Sequence, residues 1–324
     1  MRIITNIPDF PKEWVSSSSV RGTTRTYSTA WEFFLQSKDC DAILINCEPR
    51  LIYELTFLFL LFPLRRKPLI AMDLVLRRPT TLAGKMTRPF KRALFRRVDH
   101  FIHYFRELDG YERYFGIAPT RSSYVPFKSG ILKTYSFTPN AEGEYVLCLG
   151  WSERDYNTFI KAMSSLPYPG AMPRPNFSLL KQNGSRFTIA VTKLPGNIRL
   201  LDNDGSIGRA IQLISNARVV ALPIKSGRIS SSGISTYLMA MAMGKCVVIT
   251  EGPGASDVLT NEALLVPAED SGALASVIRK AWEDTKLRER TAAAGQKYAE
   301  NCGTTAELYD RVLAVIVASL RKVG

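Results

Sequence analysis

Histidine is almost missing from the 324-residue chain: His100 and His103 are the whole supply. Two imidazoles build neither a multi-histidine metal site nor a metal-hydrolase motif, so no metal is expected. Cysteine is nearly as scarce. Cys40, Cys47, Cys148, Cys246 and Cys302 are odd in number, lie in apolar surroundings and show no CxxC spacing. That pattern excludes a disulfide framework and reads as reduced thiols of a cytosolic protein. Long apolar runs are also absent. The longest, 51–64, contains Glu54 and Pro63 and is too short for the ~20 residues of a membrane span; it reads as a buried or interfacial helix. The opening Met1-Arg2-Ile3-Ile4-Thr5 lacks the apolar core of a signal peptide and reads as a first strand, so secretion is not expected. No low-complexity tract interrupts the chain, whose 46% hydrophobic and 22% charged residues form a globular mix long enough for two domains.

Acid is the other shortage. Against 43 Lys and Arg stand 29 Asp and Glu, a formal charge of +14, and the excess is local. Residues 65–97 hold eleven basic side chains (three at 65–67, the others from Arg77 to Arg97) and one acid, Asp73. Like charges this dense call for an anionic partner or abundant water. Read as a helix from Arg88 to Val98, with Pro89 in its first turn, the last part puts Phe90, Ala93, Leu94 and Val98 on one side. Arg88, Lys91, Arg92 and Arg96 fall on the other, and Arg97 interrupts the apolar stripe. That suits an anionic membrane surface, and equally a solvated helix packed on its own domain. Nucleic acid ranks below both, because no RNA motif, zinc finger or helix-turn-helix accompanies the charge.

Along the chain, short β-like runs alternate with helical stretches, the pattern of α/β architecture with parallel sheets. Strands are expected at 2–7, 42–46, 68–72, 101–104 and 123–126, and helices at 27–36, 51–61, 87–98 and 107–115. Residues 128–144 read as a linker. A second series has strands at 145–149, 187–191, 197–201, 218–224, 246–250 and 263–266, with an irregular excursion at 165–186. Three helical segments from about Ser271, Lys286 and Thr304 close the chain. The domains are therefore 1–136 and 137–302, with a terminal helix, 303–324, packing back on the first. Two doubly wound domains facing a cleft would hold a ligand at the carboxyl ends of their strands.

Two strand ends carry the chemistry. At 149–156, Leu-Gly-Trp-Ser-Glu-Arg-Asp-Tyr, a strand runs through Gly150 into a helix whose first turn includes Arg154. That arginine either meets an anion beside the helix's positive end or pairs with Asp155 on the surface. At 223–233, Pro-Ile-Lys-Ser-Gly-Arg-Ile-Ser-Ser-Ser-Gly precedes a helix expected at 234–243. Lys225, Arg228, three consecutive serines and free backbone N–H groups suit a phosphate, although the Gly-Lys-Ser/Thr spacing of a Walker loop is missing.

The segment 232–250, with Ala-Met-Ala-Met-Gly-Lys-Cys-Val-Val-Ile at 240–249, resembles the donor-site region of GT-B glycosyltransferases, particularly the retaining family-4 group. Residues 150–156 are similar to that group's Gly-x-Ser-x-Arg-Asp-Tyr variant, and 263–267 with Asp270 to its next strand and loop. The resemblance implies two Rossmann-like domains and sugar transfer from a nucleotide-diphosphate donor to a hydroxyl acceptor, lipid-linked or polysaccharide. It implies no cofactor beyond the donor and no required metal; joined to the basic stretch 65–97, it gives a protein expected to work at the cytoplasmic membrane face. Arg154 matches the diphosphate-binding arginine, and Ser231, Ser232 and Gly233 the phosphate-cradling turn, with Gly150 before them. Lys225 or Arg228 would supply a second positive charge. Asp73 ends a strand where the group often has a histidine contacting the donor sugar; an N-cap or a partner for the adjacent arginines is the other reading. The group's two glutamates eight residues apart fall here on Ser231 and Met239, and Trp151 replaces an arginine. A non-catalytic GT-B nucleotide-sugar or partner-binding protein is therefore the alternative, and a nucleic-acid binder a further one.

Overall fold

Two separate sheets organise the computed structural model, which describes residues 1–130 and 143–321. They belong to two units. Unit 1 comprises Met1–Pro126 and the chain from Ala306 onward; unit 2 is Phe127–Thr305. Most of the segment read as a linker, 131–142, lies outside the described residues.

Unit 1 contains β1 (Arg2–Thr5), β2 (Glu13–Val15), β3 (Arg21–Thr26), α1 (Ala30–Gln36), β4 (Ala42–Asn46), α2 (Pro49–Leu61), β5 (Leu69–Met72), α3 (Leu82–Phe95), β6 (His100–His103), α4 (Asp109–Phe115) and β7 (Ser122–Tyr124). Its sheet runs β2-β3-β1-β4-β5-β6-β7, parallel except for the β2–β3 pair. The central strands are apolar on both faces because helices cover both sides. The β2–β3 edge was not expected from its sequence: Arg-Gly-Thr-Thr-Arg-Thr shows no apolar alternation, and its side chains are mostly exposed.

Unit 2 contains β8 (Tyr145–Leu147), α5 (Tyr156–Met163), β9 (Gly170–Pro173), α6 (Phe177–Gln182), β10 (Ile198–Leu201), α7 (Ile207–Ser215), β11 (Ala217–Leu222), α8 (Ile234–Ala242), β12 (Cys246–Thr250), β13 (Leu264–Val266), α9 (Ser271–Glu283) and α10 (Thr285–Cys302). Its sheet is wholly parallel, in the order β10-β9-β8-β11-β12-β13. The terminal helix α11 (Thr305–Arg321) carries Tyr309, whose ring lies 4.7 Å from that of Phe10 in unit 1. Each unit is a Rossmann-like α/β layer, and the fold is GT-B.

Two expectations need correction. Residues 187–191 are not a strand: Phe187 leaves the sheet to pack on Phe177 and Tyr156, and the Thr188 N–H bonds the Asn157 side chain instead of a neighbouring strand. The missing strand is β9, inside the interval read as irregular, where Gly170 and Pro173 mask a fully buried tetrapeptide. The basic helix also starts earlier than expected. Thr81 caps α3 by accepting from the Gly84 N–H, so Pro89 lies inside the helix rather than in its first turn. Its buried side is Leu94, Phe95 and nearby Val98, while Phe90 is 58% exposed.

Candidate functional site

In unit 2 the carboxyl ends of three strands, β10, β8 and β11, run into loops that open helices α7, α5 and α8. The β8 loop is built around Arg154. This side chain is only 1% exposed. Its Nε donates to the Leu149 carbonyl (2.8 Å), one Nη to the Ser152 carbonyl (2.9 Å) and Ser232 Oγ (3.4 Å), and the other to Thr236 Oγ1 (3.2 Å). All four partners are neutral, and among the described residues no carboxylate pairs with Arg154. Burial pulls its pKa downward. Asp155, the expected surface partner, turns the other way: it caps α5 through the Thr158 N–H and binds Arg186. Burial pushes its carboxyl up, but the bonds from Arg186 and Thr158 outweigh that and hold it below the ordinary value.

Backbone bonds zip the β8 and β11 loops together, Asp155 N–H to the Pro223 carbonyl and Lys225 N–H to that of Glu153. Ser232 Oγ donates to the Ser152 carbonyl at 2.8 Å. Gly233, at φ +87°, is the N-cap of α8 and offers no side chain to it, so the first N–H groups of this nine-residue helix keep their positive end open. Gly150, at φ +109°, and Gly233 both face the guanidinium: a Cβ added to them would come within 2.5 Å and 3.2 Å of Arg154.

Of the expected site residues, Gly150, Arg154, Ser232 and Gly233 thus form one cluster, with Arg154 beneath the loops rather than at the surface. Lys225 pairs with Glu153 at 3.2 Å. Arg228 reaches away to the Thr250 and Glu251 carbonyls. Ser231 faces Gly254, where an added Cβ would meet it at 2.6 Å.

Beside the cluster is a cavity of about 120 Å³, lined by Gly150, Trp151, Thr236 and Met239 together with Asn203 and Ser206 from the β10 end. Asn203, Ser206 and Thr236 were not expected. The signal for the first two is the turn Asn-Asp-Gly-Ser at 203–206, a third strand end in line with the other two; Thr236 lies in the first turn of α8.

In unit 1, Cys47 and Asp73 end β4 and β5 and both take left-handed backbone, φ +56° and +49°. The Cys47 thiol donates to Asp73 Oδ2 at 3.2 Å. Burial pushes the Asp73 carboxyl up to about 6, the bond from Cys47 acting in the opposite sense. The N-cap reading of Asp73 does not hold, since Thr81 caps α3. A cavity of about 530 Å³ at the same sheet end is lined by Asn6, Tyr27, Glu32 and Glu48, among others. Both histidines are structural: His100 bonds Ser123, and His103 is buried among aromatic rings, which pulls its pKa down to about 3. Among the described residues no three His, Cys, Asp or Glu side chains gather in a way that would hold a metal ion.

Residues 190–298 match the family model described as glycosyl transferases group 1. No curated protein matches the chain. Among solved structures, it is similar to Anabaena Alr3699/HepE in complex with UDP and glucose, with TM-score 0.66 and 14% identity over 92% of this chain and 86% of that one. A glycosyltransferase from Rickettsia africae gives 0.62 and 14%, over 93% and 85%. Sucrose-phosphate synthase from Thermosynechococcus elongatus gives 0.61 and 14%, over 100% and 89%.

Proposed function

We propose that this GT-B chain, whose residues 190–298 carry the group 1 glycosyl transferase pattern, moves a sugar from a nucleotide-diphosphate donor to a hydroxyl acceptor. The observation that carries the reading is Arg154, a buried cation bonded to four neutral acceptors, set behind the open end of α8 and next to a cavity. A charge desolvated without a counter-ion is costly unless an anion completes it. A diphosphate at the Ile234 and Ser235 N–H groups would do so. As the glycosidic bond breaks, negative charge grows on that diphosphate, and donors already in position stabilise it without reorganising. In this reading Arg154 acts from behind the phosphates, Ser231, Ser232 and Gly233 shape their cradle, and Lys225, paired with Glu153, flanks it, whereas Arg228 serves the Thr250 and Glu251 carbonyls instead. The family-4-like, retaining course without a required metal is part of the proposal. The test is thermal stability and product release with UDP-, GDP-, ADP- and TDP-sugars. Stabilisation with release supports the reading, stabilisation without turnover marks a non-catalytic binder, and no response to any of them overturns it.

Asp73 is proposed to accept a hydrogen bond from a hydroxyl of the reacting sugar, which requires its ionised form. With the pKa raised to about 6, kcat/KM should be level above pH 6 and fall about tenfold per unit below it. Asp73→Asn should lower kcat/KM throughout and erase that limb. A parent profile flat from pH 5 to 8 would remove Asp73 from the reaction.

The acceptor is proposed to be lipid-linked, or a cell-surface polysaccharide made at the cytoplasmic membrane face. No helix among the described residues is long and apolar enough to cross a membrane. However, α3 leaves Leu82, Met86 and Phe90 76%, 72% and 58% exposed at successive i, i+4 positions, amid Lys85, Arg88 and Lys91. Side chains of this kind enter an anionic leaflet, each cation adding about 1 kcal/mol near its surface. Vesicles of phosphatidylglycerol should sediment the protein at low salt. Replacing Leu82, Met86 and Phe90 by serine should release it with nucleotide affinity unchanged. A parent protein that ignores such vesicles refutes the attachment.

A further inference from the structure

We infer that the cavity of unit 2 does not read the ribose diol, so that the chain takes 2′-deoxyribonucleoside diphosphate sugars on equal terms with ribonucleoside ones. The inference rests on the nucleotide-sugar reading above and deepens it. A diphosphate held at the start of α8 lays its nucleoside along that helix. At 1.5 Å of rise per residue, Met239 lies about 9 Å beyond Gly233, a nucleoside's length away, and it lines the cavity that begins at Gly150.

A ribose diol is two adjacent hydroxyls, best held by one carboxylate that accepts from both. Among the described residues no Asp or Glu lines this cavity. The nearest acids in sequence are engaged with partners of their own: Glu153 with Lys225, Asp155 with Arg186, Asp202 with Arg174, and Asp204 with the Ser206 N–H. Of the four side-chain acceptors in the lining besides Met239, three are engaged as well, and the fourth, the Ser235 hydroxyl, is exposed and pairs with water when no ligand does. Thr236 Oγ1 accepts from Arg154, Ser206 Oγ from the Arg209 N–H, and Asn203 Oδ1 from the Gly205 N–H. What faces the sugar is the Met239 thioether, a weak acceptor, 9% exposed. Large discrimination against a missing hydroxyl arises where the absent group leaves a buried polar partner unpaired. Here its removal leaves none.

Calorimetric titration with four pairs tests this: UDP and 2′-deoxy-UDP, GDP and 2′-deoxy-GDP, ADP and 2′-deoxy-ADP, and ribothymidine diphosphate and TDP. For whichever base binds, the two members should agree within about threefold, and a preference of about tenfold or more for the ribose form overturns the inference. Met239→Glu, and the milder Met239→Gln should the acid destabilise the fold, should create a ribose preference of about tenfold by adding an acceptor at the diol. A folded variant with an unchanged ratio places the sugar elsewhere and also overturns it. Failure of every diphosphate to bind at millimolar concentration is a different result: it removes the nucleotide-sugar reading itself, and this inference with it.

Discussion

Replacing Arg154 by methionine should lower the stability of unit 2 by ~2–4 kcal/mol and abolish nucleotide-diphosphate binding in whatever folds. Methionine fills much of the volume but donates nothing, which strands the Leu149 carbonyl now bonded at 2.8 Å and takes one bond each from the Ser152 carbonyl, which keeps Ser232, and from Ser232 and Thr236; a buried group left unpaired costs ~1–3 kcal/mol and each other lost bond ~0.5–1.5 kcal/mol. Against this, the desolvation of a buried charge is relieved, so the loss is less than the sum of four bonds. Lysine is no substitute. Its single ammonium cannot span from Leu149 to Thr236 as the guanidinium fork does. Urea unfolding gives the stability and calorimetry the affinity. A variant that matches the parent in both would show that the buried charge has no structural or ligand role.

Gly150→Ala should be almost as severe, at ~3 kcal/mol, from a single added methyl group. The residue sits at φ +109°, where an L side chain is strained. The new Cβ would lie 2.5 Å from an Nη of Arg154 and 2.9 Å from its Cζ, and that side chain is fixed from four directions. Overpacking of this kind adds ~1–3 kcal/mol to the backbone strain. Gly208→Ala is the matched control. It lies in α7 where an added Cβ meets nothing within 4 Å, so the same chemical change should stabilise the helix by ~0.5–1 kcal/mol. Thermal melts of the two variants should therefore move in opposite directions; a common direction refutes the account of Gly150.

The strands that sequence reveals most directly are those whose burial is two-sided. Ala42–Asn46 and Cys246–Thr250 read as unbroken apolar runs and form strands with those bounds. The strands at Gly170–Pro173 and Arg21–Thr26 stay hidden because glycine, proline, arginine and threonine dominate them, and their pairing is decided by neighbours distant in sequence. Conversely, Phe187 and Ile189 look like strand residues because they are apolar, yet they satisfy that apolarity by covering a core from a loop. The site shows the same division. That the chain passes from strand through loop to helix at 149–156 and 223–233 is local information, and it was legible, although α5 opens only at Tyr156 with Asp155 as its cap, so Arg154 precedes the helix instead of lying in its first turn. That Arg154 would be buried is not, because its burial depends on Ser232 and Thr236, some eighty residues later in the chain.

The return of α11 to the first unit bears on how the protein is made. Leu308, Val312, Leu313 and Ile316 of that helix are buried, and the Tyr309 ring lies tilted against that of Phe10, so unit 1 needs residues from both Met1–Pro126 and the stretch from Ala306 onward to close. On the ribosome its first 126 residues emerge, and the whole of unit 2 is then synthesised before the missing helix arrives. At ordinary translation speeds that interval is on the order of tens of seconds. The second unit is thus the one that completes first, while the first waits with an apolar seat uncovered. Deleting the last helix would make that nascent condition permanent, and the product should collect in the insoluble fraction as chains associate through the open seat.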